Sequence, residues 1–179
     1  IAVFSLARAL LLAPPDAREP DALVEGEVSH GSHVSYRRWA DLDASGALDA
    51  IAGFSIERQV NWFNGETAVS LTPMLVTANF FDVVGVPLAR GRGFTAAEAR
   101  AEEDPHLAVL SHGFWQRELQ GDSGIIGRSI ILNRDSYTIL GVLPKDHRSV
   151  AGLGISPLIY LALNRALVPG LETTTGPVV

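Results

Sequence analysis

Cysteine is absent from the 179-residue sequence, and lysine occurs only at Lys145. Without cysteine the chain can form no disulfide, thiolate nucleophile or cysteine-based zinc or iron–sulfur centre. Positive charge is also scarce: 14 lysine and arginine residues face 20 acidic ones, which gives a net charge of −6. Because nucleic acids and anionic lipids are bound through clustered cations, this balance disfavours both as partners.

Long apolar runs are missing too. The most apolar segment, residues 1–15, is shorter than the roughly 20 residues that cross a bilayer, and Arg8 interrupts it. Its apolar residues recur at helical spacing until Pro14-Pro15 ends the pattern. Two interpretations stay open, a buried core helix and the outer end of a transmembrane helix. The start at Ile1, without methionine or a signal-peptide pattern, predicts that the chain is cut from a longer protein.

The rest of the composition is that of a globular protein. Hydrophobic residues make up 47% and charged residues 19% of a chain long enough for one domain or two small subdomains. Alternating, helical and continuous apolar patterns occur side by side, without a fixed repeat. These patterns predict a mixed α/β domain of the α+β class.

The first half of the chain contains few clear secondary-structure signals. They predict an edge strand at 23–28, a helix after Ser35, a strand over 54–62, a hairpin turn at Asn64-Gly65 and a returning strand over 67–77. Pro73 predicts a bulge or an edge position in that returning strand.

The second half is punctuated by caps and turns. The patterns predict a short helix over 79–84, a helix over 96–103 with a Thr95–Glu98 capping box, a central strand over 107–110, a helix capped by Ser111, a hairpin of 129–132 and 137–142 with its turn at 133–136, a glycine-bearing loop over 150–156, and a last strand over 158–163. Residues 168–179 are predicted to be a loose tail.

Several clusters contain residue types found in ligand or metal sites, but none meets the chemical requirements of such a site well. His30 and His33 could ligate a metal, but Gly31 separates them and no third ligand is near. The loops at 91–93 and 152–154 lack the third glycine and the lysine of phosphate-binding loops. In both loops, glycines that supply positive φ are the stronger interpretation.

Catalytic arrangements are equally weak. Ser111-His112 lies at a strand-to-helix junction, but adjacent residues rarely act as nucleophile and base, so a helix cap is favoured. The carboxylate pairs Asp41/Asp43, Glu102/Glu103 and Asp16/Glu19 lie in polar segments where desolvation is not expected. Trp39, Trp62 and Trp115 could stack on a sugar, but each falls on an apolar face, which favours core packing. We therefore predict no catalytic, cofactor-binding or metal-binding residues.

Four blocks in fixed order resemble the MacB-like periplasmic core domains of ABC-transporter permeases, in the large-permease branch common in acidobacteria. The longest is residues 76–95, Val-Thr-Ala-Asn-Phe-Phe-Asp-Val-Val-Gly-Val-Pro-Leu-Ala-Arg-Gly-Arg-Gly-Phe-Thr. The others are 109–117, 126–133 and 137–144. Residues 4–14 resemble the end of the first transmembrane helix of such permeases, so the resemblance favours a membrane-proximal stub over a core helix.

The resemblance implies a porter-like β-α-β part with an inserted β-rich subdomain. It divides the chain into residues 1–34 (helix stub and first porter elements), 35–165 (inserted or core subdomain) and 166–179 (tail toward a second porter unit). A second porter unit and more transmembrane helices are expected beyond residue 179.

In function, the resemblance implies a non-catalytic periplasmic domain of an inner-membrane efflux permease, without a cofactor, that couples transmembrane helix motion to the handling of substrate or partner. Its expected partners are the rest of the permease and a cytoplasmic ATPase, with a periplasmic adaptor and a homodimer as further candidates. Two other hypotheses remain: a stand-alone small-molecule or glycan-binding module that uses the tryptophans, and a hydrolase centred on Ser111 and His112.

Overall fold

The computed structural model of the protein describes residue 45 and residues 50–55, 59–101, 105–149 and 157–163. Within these ranges, nine strands form one mixed sheet, accompanied by three short helices. The strands are β1 (Phe54–Ser55), β2 (Val60–Phe63), β3 (Ala68–Leu71), β4 (Met74–Val76), β5 (Arg90–Gly91), β6 (Leu107–Leu110), β7 (Ser129–Leu132), β8 (Asp135–Val142) and β9 (Ile159–Ala162). The helices are α1 (Phe80–Val84), α2 (Ala96–Ala99) and α3 (His112–Glu118). The predicted mixed α/β class is confirmed.

The strand order is β1-β4-β9-β6-β8-β7-β2-β3, and β5 pairs with β8 beside β7. We call β4, β9, β6 and β8 the central strands, and β7, β2 and β3 the outer strands. The pairs β4–β9 and β6–β8 are parallel, whereas β6–β9 is antiparallel. On one side of β8, β7 pairs up to Thr138 and β5 takes over at Gly141. The sheet therefore branches at β8.

Both faces of the central strands are buried, because helices cover them on opposite sides. On one face, α3 contributes Phe114 and Trp115 to a cluster that includes Leu110, Ile139 and Leu161. The other face carries a second cluster, which α1 completes with Phe80, Phe81 and Val84. Neighbouring residues of one strand enter opposite clusters, as the two-residue period of a strand requires. Strands buried on both faces have continuous apolar sequences, which explains the run at 107–110.

Of the outer strands, β2 and β7 bury one face only, and none of the four residues of β3 is buried. Val60 and Trp62 of β2 are buried, while Asn61 and Phe63 between and after them are exposed. Phe63 is 47% exposed and lies opposite Ile131 of β7, which is 37% exposed. The alternating pattern predicted from the sequence is therefore present, but its solvent face carries two apolar side chains.

The predicted strand over 54–62 is wrong as a single element. Residues 54–55 form β1, which pairs with β4 at one end of the sheet, and residues 60–63 form β2 near the other end. Phe54 of β1 packs edge-on against Phe80 of α1, with 6.3 Å between the ring centroids. Alternation alone could not show that the segment serves two distant partners.

The predicted returning strand over 67–77 is also two strands. Residues 68–71 form β3, which pairs with β2, and residues 74–76 form β4 among the central strands. Pro73 lies between them, and since proline has no N–H for a strand ladder, it marks the point where the chain changes partners.

Both hairpins form, with turns that differ from the predicted ones. The β2–β3 loop spans four residues, 64–67, because Asn64 Oδ1 accepts hydrogen bonds from the backbone N–H groups of Glu66 and Thr67. In the second hairpin the turn is tighter than predicted: Asn133 and Arg134, at φ of 50° and 81°, make a two-residue turn. Positive φ at both central positions fits the twist of a hairpin.

The described helices begin or end at the predicted caps. Gly85 ends α1 in the left-handed conformation, and the Thr95–Glu98 capping box begins α2. α2 is shorter than predicted and ends at Ala99, with residues 102–104 outside the described residues. The predicted elements in residues 1–44 and the loop at 150–156 also lie outside the described residues.

Candidate functional site

Three chain segments meet at one edge of the central strands. The parallel strands β6 and β8 end there, at Leu110 and Val142, and the antiparallel β9 begins there at Ile159. Backbone hydrogen bonds from Ser111 N–H to the Leu158 carbonyl (2.9 Å) and from Leu143 N–H to the Leu110 carbonyl (2.8 Å) join the segments. In open α/β sheets, ligands bind at the carboxyl ends of parallel strands. This edge is the candidate site.

An open cleft of about 210 Å³ lies at this edge. The side chains that line it supply cations, imidazoles and hydroxyl groups but no carboxylate. The lining residues are Ser111, His112, Gly113, Arg117, Leu143, Pro144, Lys145, His147, Ser149, Pro157, Leu158 and Tyr160. We refer to this feature as the edge cleft. None of the described residues that line it is acidic, in contrast to the net charge of −6 of the whole sequence.

Ser111 and His112, the residues of the hydrolase hypothesis, both line the edge cleft but have structural contacts. Ser111 Oγ accepts a hydrogen bond of 3.2 Å from the backbone N–H of Phe114, so its role as the N-cap of α3 is confirmed. The imidazole of His112 packs edge-on against Trp115, with 5.3 Å between ring centroids. A nucleophile and its base must share a hydrogen bond. The side chains of Ser111 and His112 do not share such a hydrogen bond.

Tyr160 forms the floor of the edge cleft. Its hydroxyl lies 3.4 Å from His147 Nε2, and its ring packs edge-on against Phe81 in the α1 cluster. Burial disfavours the phenolate and raises the pKa of Tyr160 to about 12, although a hydrogen bond with Ser149 acts in the opposite direction. Tyr160 is therefore neutral at physiological pH and offers the cleft a hydroxyl group.

The described tryptophans are core residues, which confirms the favoured interpretation. Trp62 is 4% exposed and packs edge-on against Phe114, with 4.9 Å between ring centroids. Trp115 is 6% exposed, donates from Nε1 to the Asp122 carbonyl, and has the guanidinium of Arg90 5.1 Å above its ring. Neither ring presents a free face to a sugar. Trp39 lies outside the described residues.

The loop at 91–93 is a structural joint, in which the predicted positive φ is found at Gly91 but not at Gly93. Gly91 has a φ of 68°, and a Cβ added there would lie 2.0 Å from the Leu140 carbonyl oxygen. Arg92 forms a 2.7 Å ion pair with Glu98, the residue that closes the capping box of α2. The hydrogen bond from Arg92 is the main cause that lowers the pKa of Glu98 to about 2. The loop thus ties β5 to α2.

The remaining candidate site residues from the sequence cannot be placed relative to the edge cleft. His30, His33, the carboxylate pairs and the loop at 152–154 fall outside the described residues. In the part of the chain that the structure describes, no group of three or more histidine and acidic side chains is arranged to hold a metal ion.

Sequence reasoning missed Arg117, Lys145, His147 and Tyr160 as members of one cleft. They come from α3, from the loop after β8 and from β9, so no short spacing links them. The available signal was indirect: two predicted strands, at 107–110 and 137–142, each followed by polar or basic residues.

Solved structures share this fold. The chain is similar to the extracellular domain of the noncanonic ABC-type transporter YknZ from Gram-positive bacteria, with 14% identity and a TM-score of 0.57 over 80% of this chain and 67% of that one. It is also similar to the periplasmic region of MacB from Actinobacillus actinomycetemcomitans, with 16% identity and a TM-score of 0.58 over 83% of this chain and 62% of that one. At these identities the likeness establishes the fold. No curated protein matches the sequence.

The family follows from the sequence itself. The model of the MacB-like periplasmic core domain matches residues 1–176, and the chain belongs to this family. The resemblance seen in the four ordered blocks is confirmed, and the chain is a periplasmic core domain of a MacB-like ABC transporter permease. None of the helices formed by the described residues is long and apolar enough to cross a membrane.

Proposed function

We propose that this domain passes the motion of transmembrane helices to substrate or partner handling outside the inner membrane, without catalysing a reaction. Membership of the MacB-like periplasmic core domain family is the observation that carries the proposal. ATP hydrolysis then belongs to a cytoplasmic ATPase, which reaches the domain through the transmembrane part of the permease.

The packing of the central strands supports a mechanical role. Apolar side chains cover both faces of these strands, including the fully buried Met74, Leu110 and Ile139. Close-packed interiors have low compressibility and transmit displacement, so a force applied at one end of such a sheet moves the whole unit. A domain of this kind suits rigid-body motion driven by attached helices.

The contacts at the edge cleft support the proposal that the domain does not catalyse a reaction. The hydroxyl of Ser111 is used as a helix cap, and His112 packs on Trp115. Both side chains therefore have structural roles that account for their presence.

The absence of cysteine makes coupling directly testable. Single cysteines introduced at exposed positions, Glu66→Cys, Gln116→Cys and Ser136→Cys, provide unique labelling sites in this domain. We expect the rate of maleimide labelling of the complete permease in proteoliposomes to differ between the nucleotide-free and vanadate-trapped states at one or more sites. A hydrolysis-deficient ATPase serves as the control and should abolish the vanadate-dependent difference. Equal rates at all three sites would overturn the coupling role.

The membrane connection has its own test. The gene should encode a transmembrane helix that ends near residues 1–12 and further helices after residue 179. Soluble sequence on both sides would contradict the inner-membrane location. Crosslinking of the complete permease, followed by mass spectrometry, tests the candidate periplasmic adaptor and the homodimer.

A further inference from the structure

The edge cleft concentrates positive charge in an acidic protein. Arg117 and Lys145 line it, both are exposed, and neither forms an ion pair with another described residue. The acidic residues next to them in the chain, Glu118 and Asp146, are not among the described residues that line the cleft, so an anion bound there would meet the two cations. The cleft therefore has the electrostatic character of an anion site.

Arg117 lies where it can present a planar set of donors. One of its terminal nitrogens, Nη1, lies 3.1 Å from the position that a Cβ on Gly113 would occupy. Because residues four positions apart share a helix face, the missing side chain at Gly113 leaves room for the guanidinium to lie along α3 beside the cleft. The guanidinium fork matches the two oxygens of a carboxylate or phosphate.

Hydroxyl groups extend the donor set. Ser111 Oγ accepts from the Phe114 N–H, which leaves its O–H proton for an acceptor in the cleft. The imidazole of His112 lines the same wall. A volume of about 210 Å³ is below the range of about 300–1,000 Å³ of drug-sized sites, so the fitting ligand is small.

We propose that the edge cleft binds a small anionic ligand through a carboxylate or phosphate group placed between Arg117 and Lys145. The site is independent of the coupling role: a permease domain can transmit motion with or without it, and a binding domain need not transmit motion.

Histidine NMR of the 179-residue chain tests the site. His112 and His147 line the cleft, whereas His106 precedes β6 at the opposite edge of the sheet and packs against Tyr137. Inorganic phosphate and succinate are titrated separately at constant pH and ionic strength, with succinamide as the uncharged control. We expect saturable ring shifts at His112 and His147 but not at His106. The probe with the lower Kd identifies phosphate or carboxylate as the preferred group.

Two variants assign the binding to the cleft cations. Arg117→Gln and Lys145→Gln should each weaken binding at least about tenfold, because charge-assisted hydrogen bonds are among the strong ones. Arg100→Gln, an exposed cation at the end of α2 outside the cleft, is the matched control and should leave Kd unchanged. The proposal is overturned by the absence of saturable shifts, by equal shifts at His106, by equal binding of succinamide, or by an equal loss in Arg100→Gln. Shifts produced only by an acidic peptide, and not by either small anion, would also overturn it.

Discussion

The central and outer strands belong to one sheet but are built on different rules. In the central strands both faces are covered, so that consecutive residues such as Val109 and Leu110 are buried in opposite clusters. In the outer strands β2 and β7 one face is exposed to water, and in β2 burial alternates from Val60 to Phe63. The two regions therefore differ in whether one or both faces of a strand pack against the rest of the domain.

This difference teaches where the stability of the domain lies. A residue packed on both sides leaves a cavity when it is truncated, whereas an exposed one leaves only a smaller surface. The edge cleft lies at the ends of two central strands, the parallel pair β6 and β8, so the candidate site is next to the most buried part of the sheet. The following changes test the contrast, from the largest expected effect to the smallest.

The largest effect is expected in the packed core. Phe114→Ala removes a side chain that is 1% exposed and touches Trp62, and it should lower the free energy of unfolding by about 3–5 kcal/mol. Phe63→Ala, the matched change at a 47% exposed ring, should cost at most about 1 kcal/mol. Urea denaturation measures both. Equal losses would show that the exposed ring of Phe63 contributes as much to stability as the buried ring of Phe114.

The next largest effect is expected at Gly141, where two backbone segments lie close together. A Cβ on Gly141 of β8 would lie 2.6 Å from the Arg92 carbonyl oxygen, so Gly141→Ala must push β8 away from the loop after β5, at a cost of about 3 kcal/mol. Gly65 in the β2–β3 loop has nothing within 4 Å of such a Cβ, and its φ of 101° alone should make Gly65→Ala cost about 1–2 kcal/mol. Thermal unfolding should rank them in this order, and the reverse order would refute the close approach.

Loss of a helix cap should be smaller. Ser111→Ala leaves the N–H of Phe114 without its acceptor and should reduce the free energy of unfolding by about 1 kcal/mol, while Ser111→Thr retains the acceptor and most of the stability. Urea denaturation supplies the measurement. A hydrolytic activity that disappeared in Ser111→Ala but survived in Ser111→Thr would instead support the hydrolase hypothesis.

The smallest effect is expected at the exposed ion pair. The pKa of Glu98, lowered to about 2, lies below its unfolded value of about 4.3, so its contribution to stability is present above pH 4.3 and is lost as pH falls toward 2. Both partners are partly solvated, which limits the contribution to about 1 kcal/mol or less. Carboxyl NMR of Arg92→Gln should show the pKa of Glu98 moving upward. Arg100→Gln should leave it in place, and an unchanged value in Arg92→Gln would contradict the pairing.

Local signals predicted the element types well. The caps at Thr95 and Ser111 were predicted because a side-chain oxygen followed by a free N–H is a local arrangement, and both form. Leu107–Leu110 was predicted as a central strand from its continuous apolar run. The family was also predicted from ordered blocks of sequence, and the match over residues 1–176 confirms it.

Non-local choices were not predictable in the same way. The segment over 54–62 alternates as one strand would, but its ends pair with β4 and with β3 and β7 at distant places in the sheet. Likewise, the residues of the edge cleft are separated by up to 49 positions, from Ser111 to Tyr160, and no spacing brings them together.

By itself the sequence determined the helix caps, the strand periods, the net charge and the family, because each depends on residues close in the chain or on their order. Only the tertiary structure decided that residues 54–55 and 60–63 pair at distant places in the sheet, and that Arg117 of α3 and Lys145 of the loop after β8 line one cleft. The physical reason is that burial and charge proximity depend on which surfaces meet in space, and those contacts are fixed only when the sheet is assembled.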